Sequence, residues 1–307
     1  MKYAEWLDLW LNNYVRPSAK ERTYIRYKEL VLTHIAPNIG DKALDELTPI
    51  MLQSLVAELL SHGNKNTCKG LATSTVNIII TVIQNSLSTA YFAGLTSKRF
   101  NAIKRPKPLE KKIECFTVDE QKKIESKILA GGKDKLFGIV LCLYTGLRIG
   151  ELLALKWSDI DLQKGLLTVS HSCHDRPGGV VLEPPKTPFS CRTIPLVQQL
   201  LPRLKNIKKF SKSAFVVSGG HGSMSVRSYQ RSFELLLNDL HIAHRGFHTL
   251  RHTFATRALE CGMDVKTLAE ILGHKNPTVT LNRYVHSLPE HKSAMINRLG
   301  KLLSPKN

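Results

Sequence analysis

Apolar residues along the first hundred positions recur at helical spacing. Trp6, Leu7, Trp10 and Leu11 mark one face of a helix over residues 3–14, and Tyr24, Tyr27, Leu30 and Val31 mark a second helix after Ser18. Thr48-Pro49 reads as a helix start, with Thr as the cap and Pro at the first helical position, and Leu52, Leu55, Val56 and Leu59 form the stripe behind it. A fourth helix is expected from about Ser74 to Phe92, stopping at Gly94. Residues 1–105 therefore read as a compact helical bundle.

The pattern then breaks. Lys104-Arg105-Pro106-Lys107-Pro108-Leu109-Glu110-Lys111-Lys112 holds two prolines and five basic residues, so residues 106–114 read as an extended linker. It is either a solvated tether or a basic strap for phosphates. Residues 115–307 form a second domain of mixed pattern. Strands are expected at Leu166–Ser170, Val180–Glu183 and Cys191–Leu196, with Pro177-Gly178-Gly179 as the turn between the first two. Helices return at about 225–240, 248–260, 265–272 and 277–286, the last capped by Asn276-Pro277. The fold class is mainly α with a small antiparallel β-sheet.

Charge narrows the partner. The 307 residues hold 44 Lys+Arg against 25 Asp+Glu, a formal net charge of +19. That excess favours a polyanion, most simply nucleic acid. No apolar run approaches the roughly 20 residues of a membrane span, and no apolar leader stretch follows Met1. Six scattered cysteines without a Cys-x-x-Cys pair fit a reduced, cytoplasmic setting. Neither Gly-x-Gly-x-x-Gly nor a phosphate-cradling Gly-Lys-Ser/Thr loop occurs, so no nucleotide cofactor is expected.

Four stretches could carry chemistry. In Thr145-Gly146-Leu147-Arg148-Ile149-Gly150-Glu151 a glycine turn between apolar helices presents Arg148, with Glu151 as its nearest partner; a structural ion pair is the plain alternative. Lys186 stands in Pro184-Pro185-Lys186-Thr187, at the tip between two expected strands, where lysine is ordinarily solvated. His248 and Arg251 share a helix face at i, i+3. His248 and His252 mimic the spacing of a zinc-protease helix, but Thr249 stands where the Glu is needed. His171 and His174 around Cys173 are a similar near-miss on an expected turn, so no metal is expected. His274 follows Gly273 at an exposed joint, and Tyr284 comes ten residues later. Of the three tyrosines beyond residue 112, Tyr144 and Tyr229 fall on apolar faces and read as core.

Two arginines, two histidines, a lysine and a tyrosine suit phosphoryl transfer without metal. Phenol is mostly protonated at neutral pH, so attack by tyrosine needs a phosphate held by bidentate guanidinium contacts and a histidine to take the proton. The leaving oxygen must also be protonated, which a lysine can do. A covalent phosphotyrosine would conserve the phosphodiester energy and remove any need for ATP.

In order and spacing, Thr-Gly-Leu-Arg148-Ile-Gly-Glu-Leu, Lys186, His248-Thr-Leu-Arg251-His, Leu-Gly-His274 and Arg-Tyr284-Val-His resemble the tyrosine recombinase (phage integrase) family over nearly the whole chain. The resemblance implies a core-binding (SAM-like) DNA-binding domain over 1–105 and a mixed α/β catalytic domain over 115–307. It implies that Arg148 and Arg251 clamp the scissile phosphate, with Glu151 supporting Arg148. Lys186 would protonate the 5′-oxygen, His248 would act as base or phosphate ligand, and His274 would hold a phosphate oxygen. Tyr284 would form the 3′-phosphotyrosyl link. It further implies duplex DNA with specific sites as partner, a homotetramer exchanging strands, accessory DNA-bending or excision factors, and a C-terminal segment (Pro289 to Leu303) packed on a neighbouring protomer.

The wording around Tyr284 leans toward phage and conjugative-transposon integrases, although the front arm-binding domain many of them carry is not evident. A shorter, Xer-like dimer-resolving recombinase is the alternative. A topoisomerase-like enzyme of type IB, a DNA-binding relic and a metal-dependent hydrolase are the competing classes.

Overall fold

The computed structural model describes residues 1–64, 67, 69–100, 103–108, 114–132, 134–176, 178–184, 191–220, 222–284 and 296–297, the side chains of 282–284 excepted. The chain divides into two compact units, Met1–Lys111 and Lys112–Asn307.

The first unit is helical: α1 (Tyr3–Trp10), α2 (Arg16–Ser18), α3 (Glu21–Leu30), α4 (Ala36–Ile39), α5 (Pro49–His62) and α6 (Thr73–Phe92). The expected stripes are buried apart from half-buried Tyr27, with Trp6, Leu7 and Trp10 packed in one cluster with Ile79, Ile80, Ile83 and Leu87 of α6. The polar tips of the α1 aromatics are all satisfied on α6. Tyr3 Oη meets Ser86 Oγ at 2.7 Å, Trp6 Nε1 donates to Ser86 O at 2.9 Å, and Trp10 Nε1 donates to Thr89 Oγ1 at 3.2 Å. Such pairing lets large rings be buried without an orphaned donor.

The first helix does not stop near residue 14. A π-turn over Leu11–Val15 carries the chain into α2, and a second over Val31–Ile35 joins α3 to α4. Each lies just ahead of a proline, Pro17 and Pro37. Proline lacks an N–H and crowds the carbonyl four residues back, and a wider turn relieves both problems. Thr48 caps α5 through Met51 N as expected, at 3.3 Å. Gly94, at φ +70°, follows α6 in the left-handed region.

The start of the basic segment is fastened to α6 rather than free, with Lys104, Arg105 and Lys107 exposed. Arg105 donates to Asn77 O, Thr81 Oγ1 and Gln84 Oε1, all on α6, and Asn77 Nδ2 donates to Pro106 O. Residues 109–113 of that segment lie outside the described residues.

The second unit begins with α7 (Val118–Ala130), capped reciprocally by Thr117 and Glu120, and α8 (Phe137–Thr145). Phe137 through Leu143 are all buried, so α8 is a central helix rather than an amphipathic one. After α9 (Ile149–Ala154) come β1 (Ile160–Asp161), β2 (Leu166–Val169), β3 (Ser172–Arg176), β4 (Gly179–Glu183) and β5 (Arg192–Pro195). Then follow α10 (Leu201–Phe210), α11 (Val226–Asp239), α12 (His248–Glu260), α13 (Val265–Leu272) and α14 (Pro277–Tyr284).

The strands differ from expectation. They make two antiparallel sheets, β1-β2-β5 and β3-β4, not one. Strand β4 pairs with β3, not with β2, and His174 stands opposite Val181; Pro177 of the expected turn lies outside the described residues. His174 therefore sits within a strand rather than on a turn. The strands before and after Lys186, β4 and β5, belong to different sheets. The hairpin is fastened to α11, because the Asp175 carboxylate accepts from Val226 N (2.9 Å) and Arg227 N (3.0 Å) at that helix's N-terminus.

Candidate active site

The site gathers where two helices end in left-handed glycines. Gly146 follows α8 at φ +65° and Gly273 follows α13 at φ +66°. A side chain on Gly146 would also put its Cβ 2.6 Å from Phe254 Cδ1, so glycine is required there for space as well as conformation. Each turn delivers a predicted residue, Arg148 after the first and His274 after the second.

Arg251 joins the two turns. Its side chain is 2% exposed, yet it carries a guanidinium. That charge is matched by carbonyls at the two helix C-termini: Nη1 donates to Gly146 O at 2.9 Å and Nη2 to Leu272 O at 2.6 Å. Helix C-termini carry partial negative charge, which suits a buried cation. Arg251 Nη2 also lies 2.9 Å from His274 Nε2. A guanidinium only donates, so Nε2 accepts and the imidazole proton sits on Nδ1. Nδ1 in turn lies 2.7 Å from Thr280 Oγ1. Thr280 is fully buried on α14, one turn before Tyr284 on the same helix. Asn276 caps α14 through Thr278 N at 2.9 Å, as expected.

Arg148 is the residue before α9, and its side chain is 37% exposed. Glu151 supports it twice: Oε1 accepts from Arg148 Nη1 at 2.7 Å, and Oε2 accepts from Arg148 N at 2.9 Å. Glu151 itself is only 6% exposed. Burial raises its pKa, but Arg192 and then Arg148 outweigh that and bring it down to about 2. The carboxylate is thus charged at neutral pH.

His248 opens α12, its ring edge-on to that of His252 with centroids 4.6 Å apart. Among the described residues no cluster of His, Cys, Asp or Glu could hold a metal ion. Tyr229 is fully buried and donates to Lys135 O, and Tyr144 donates to Glu125; burial raises the pKa of both phenols. Lys186 lies outside the described residues, as does Pro289 to Leu303 apart from residues 296 and 297; Tyr284 is placed by its helix alone. The structure thus brings Arg251, His274 and the helix of Tyr284 together. Arg148 follows the Gly146 turn that Arg251 holds.

Sequence reasoning misses Arg192. Its side chain is 6% exposed, and Nη1 and Nη2 reach the two Glu151 oxygens at 3.2 and 2.9 Å. A signal exists in the pattern: Arg192, Ile194 and Leu196 alternate in phase, and both apolar residues are buried.

Residues 115–291 match the phage integrase family, and residues 2–60 match the phage integrase N-terminal SAM-like domain. The chain belongs to the phage integrase family of tyrosine recombinases. It is 28% identical over 97% of its length to a XerC-like tyrosine recombinase of Caldanaerobacter subterraneus subsp. tengcongensis, covering 83% of that protein. It is 28% identical over 93% of its length to the ICEBs1 integrase of Bacillus subtilis, covering 79% of that protein. Its fold matches residues 82–397 of the Tn1549 transposon integrase, solved in complex with a circular intermediate DNA. The TM-score is 0.82 and the identity 23%, over 97% of this chain and 99% of that one. No described helix is long and apolar enough to cross a membrane.

Proposed function

We propose that this chain is a site-specific DNA recombinase that cleaves and rejoins duplex DNA through a 3′-phosphotyrosyl intermediate, for integration and excision of a mobile element in the cytoplasm. The supporting observation is the chain of contacts Gly146–Arg251–His274–Thr280, which runs from the Arg148 turn to the helix carrying Tyr284. Arg148 and Arg251 clamp the scissile phosphate and stabilise charge in the transition state. The Tyr284 oxygen attacks phosphorus, with His248 receiving its proton or holding a phosphate oxygen. To hold a second oxygen, His274 has to carry a proton on Nε2 and give up the bond it accepts from Arg251 Nη2. The bond to the 5′-oxygen breaks, and Lys186 gives that oxygen a proton. A 5′-hydroxyl attacking the phosphotyrosine reverses the sequence on the same or another strand. The charge of +19 suits a polyanionic partner.

By likeness to a lambda integrase tetramer solved on a Holliday junction, four protomers would act together on two sites, with DNA-bending or excision factors setting direction. Dimer resolution of the Xer kind is the second reading, favoured by the XerC-like relative.

The test is a suicide duplex, nicked near the candidate crossover and drawn from the DNA flanking the chain's own gene. Wild type is expected to form a covalent protein–DNA band on a denaturing gel. Tyr284→Phe is expected to bind the duplex and form none. A band from Tyr284→Phe moves the nucleophile elsewhere, and a band that forms only on chromosome-dimer sites favours the second reading.

A further inference from the structure

Glu151 is shared between two arginines, unequally. Arg192 grips it with both terminal nitrogens, Nη1 on Oε1 and Nη2 on Oε2. Arg148 reaches it with Nη1 alone, and its second bond to the carboxylate comes from the backbone N–H. A carboxylate offers about four lone-pair positions, and these four donors match them. Among the described residues Glu151 is the only partner of the Arg148 side chain, which is 37% exposed while Arg192 and Glu151 are each 6% exposed.

We infer that Arg192 is a positioning residue: by taking Glu151 in a two-pronged ion pair, it confines that carboxylate to a single side-chain bond with Arg148 and leaves the rest of the Arg148 guanidinium for phosphate. Carboxylate and guanidinium otherwise prefer the two-pronged arrangement. A Glu151 released from Arg192 would close on Arg148 and compete with the scissile phosphate for it. The inference rests on Arg148 serving as a phosphate clamp, as proposed above.

Arg192 does this from a fixed post. Its Nε donates to Ile271 O, near the end of α13. Its guanidinium also lines the Gly273 turn, where an added Cβ would stand 3.0 Å from Nη1. It begins β5, paired opposite Val169 of β2. The residue thus joins three parts of the site: the strand after the Lys186 segment, the Glu151 support of Arg148, and the turn before His274.

The experiment uses the full chain with Arg192→Gln, Arg192→Lys, Glu151→Gln and the Glu151→Gln/Arg192→Gln double variant. Two readouts are taken: the single-turnover rate of adduct formation on the suicide duplex, and the rate at which phenylglyoxal modifies Arg148, followed by mass spectrometry. Arg192→Gln is expected to slow cleavage about tenfold to a hundredfold, as misplacement of a reacting group does, with DNA affinity unchanged. Arg148 labelling is expected to fall severalfold in Arg192→Gln and to recover in the double variant. In the Glu151→Gln background the cleavage effect of Arg192→Gln is expected to shrink to about twofold, the mark of coupled residues. Arg192→Lys, which keeps the charge but not the fork, is expected to fall between wild type and Gln, and carries the comparison if Arg192→Gln does not fold. Unchanged Arg148 labelling in the Arg192 variants, or cleavage losses that simply add in the double variant, would overturn the inference. Absence of adduct even from wild type tells against that duplex as the recombination site, while the labelling still decides the role of Arg192.

Discussion

His274 Nδ1 and the Thr280 hydroxyl lie 2.7 Å apart and tie the joint after α13 to the helix that carries Tyr284. The bond is buried at its Thr280 end, so no water replaces it when it is lost. Thr280→Val keeps the shape and removes the acceptor. It is expected to slow adduct formation about tenfold with DNA binding intact, while Thr280→Ser stays near wild type. Equal cleavage by the Val and wild-type proteins in a single-turnover assay would show that the bond positions nothing.

Arg148 and Arg251 are expected to separate when stability is measured beside cleavage. Arg251→Ala strands the carbonyls of Gly146 and Leu272, which its guanidinium satisfies from a buried position, and should cost about 2–4 kcal/mol. Arg148→Ala leaves Glu151 with Arg192 and removes a half-exposed side chain, for about 1–2 kcal/mol. Both should abolish cleavage. Denaturant unfolding of the two variants checks the difference, and equal destabilisation contradicts the placement of Arg251.

Glu151 sets a pH dependence. Its pKa in the folded chain is lowered from 4.5 to about 2, so its contribution to stability is complete above about pH 4.5 and is lost as the pH falls through 2. Glu151→Gln should be less stable at neutral pH by about 3–5 kcal/mol, because two buried or half-buried arginines lose their counter-charge. Its stability should also fall less steeply than wild type between those pH values. Parallel acid-unfolding curves for the two proteins would remove the carboxylate from that role.

Binding to duplex DNA should weaken steeply with salt, because a chain of net charge +19 displaces counterions from the phosphates. The log–log slope is expected near −0.9 per phosphate neutralised. Titrations from low to physiological ionic strength give the slope, and a flat response contradicts a charged DNA surface.

The helices beyond residue 225 are legible because their ends carry local signals, whereas those at Val118–Ala130 and Leu201–Phe210 are not among the expected elements. Asp264 accepts from Lys266 N and Thr267 N at the start of α13, and Gly273 closes it, so periodicity and caps suffice for 265–272. Strand β3 is not legible. Ser-Cys-His-Asp-Arg has one buried apolar position, Cys173, and too little alternation to register as a strand. Its pairing with β4 supplies the order that the sequence pattern lacks. The link between Arg192 and Glu151 spans 41 positions, and no local pattern reports such a distance. Arg148, Arg251 and His274 stand out through their motifs, whereas the burial of Arg251 and its grip on two helix ends come only from the folded chain.

The π-turns ahead of Pro17 and Pro37 fix the phase of the helical residues beyond them. An extra residue in a helix turns everything past it by about 100° relative to an uninterrupted α-helix. Deleting one residue from Leu11–Val15 would therefore do more than shorten a rod. It would rotate Val15 and the chain beyond it out of register with the face that Trp6 and Trp10 present to α6, so length at this point acts as an angular setting for the bundle.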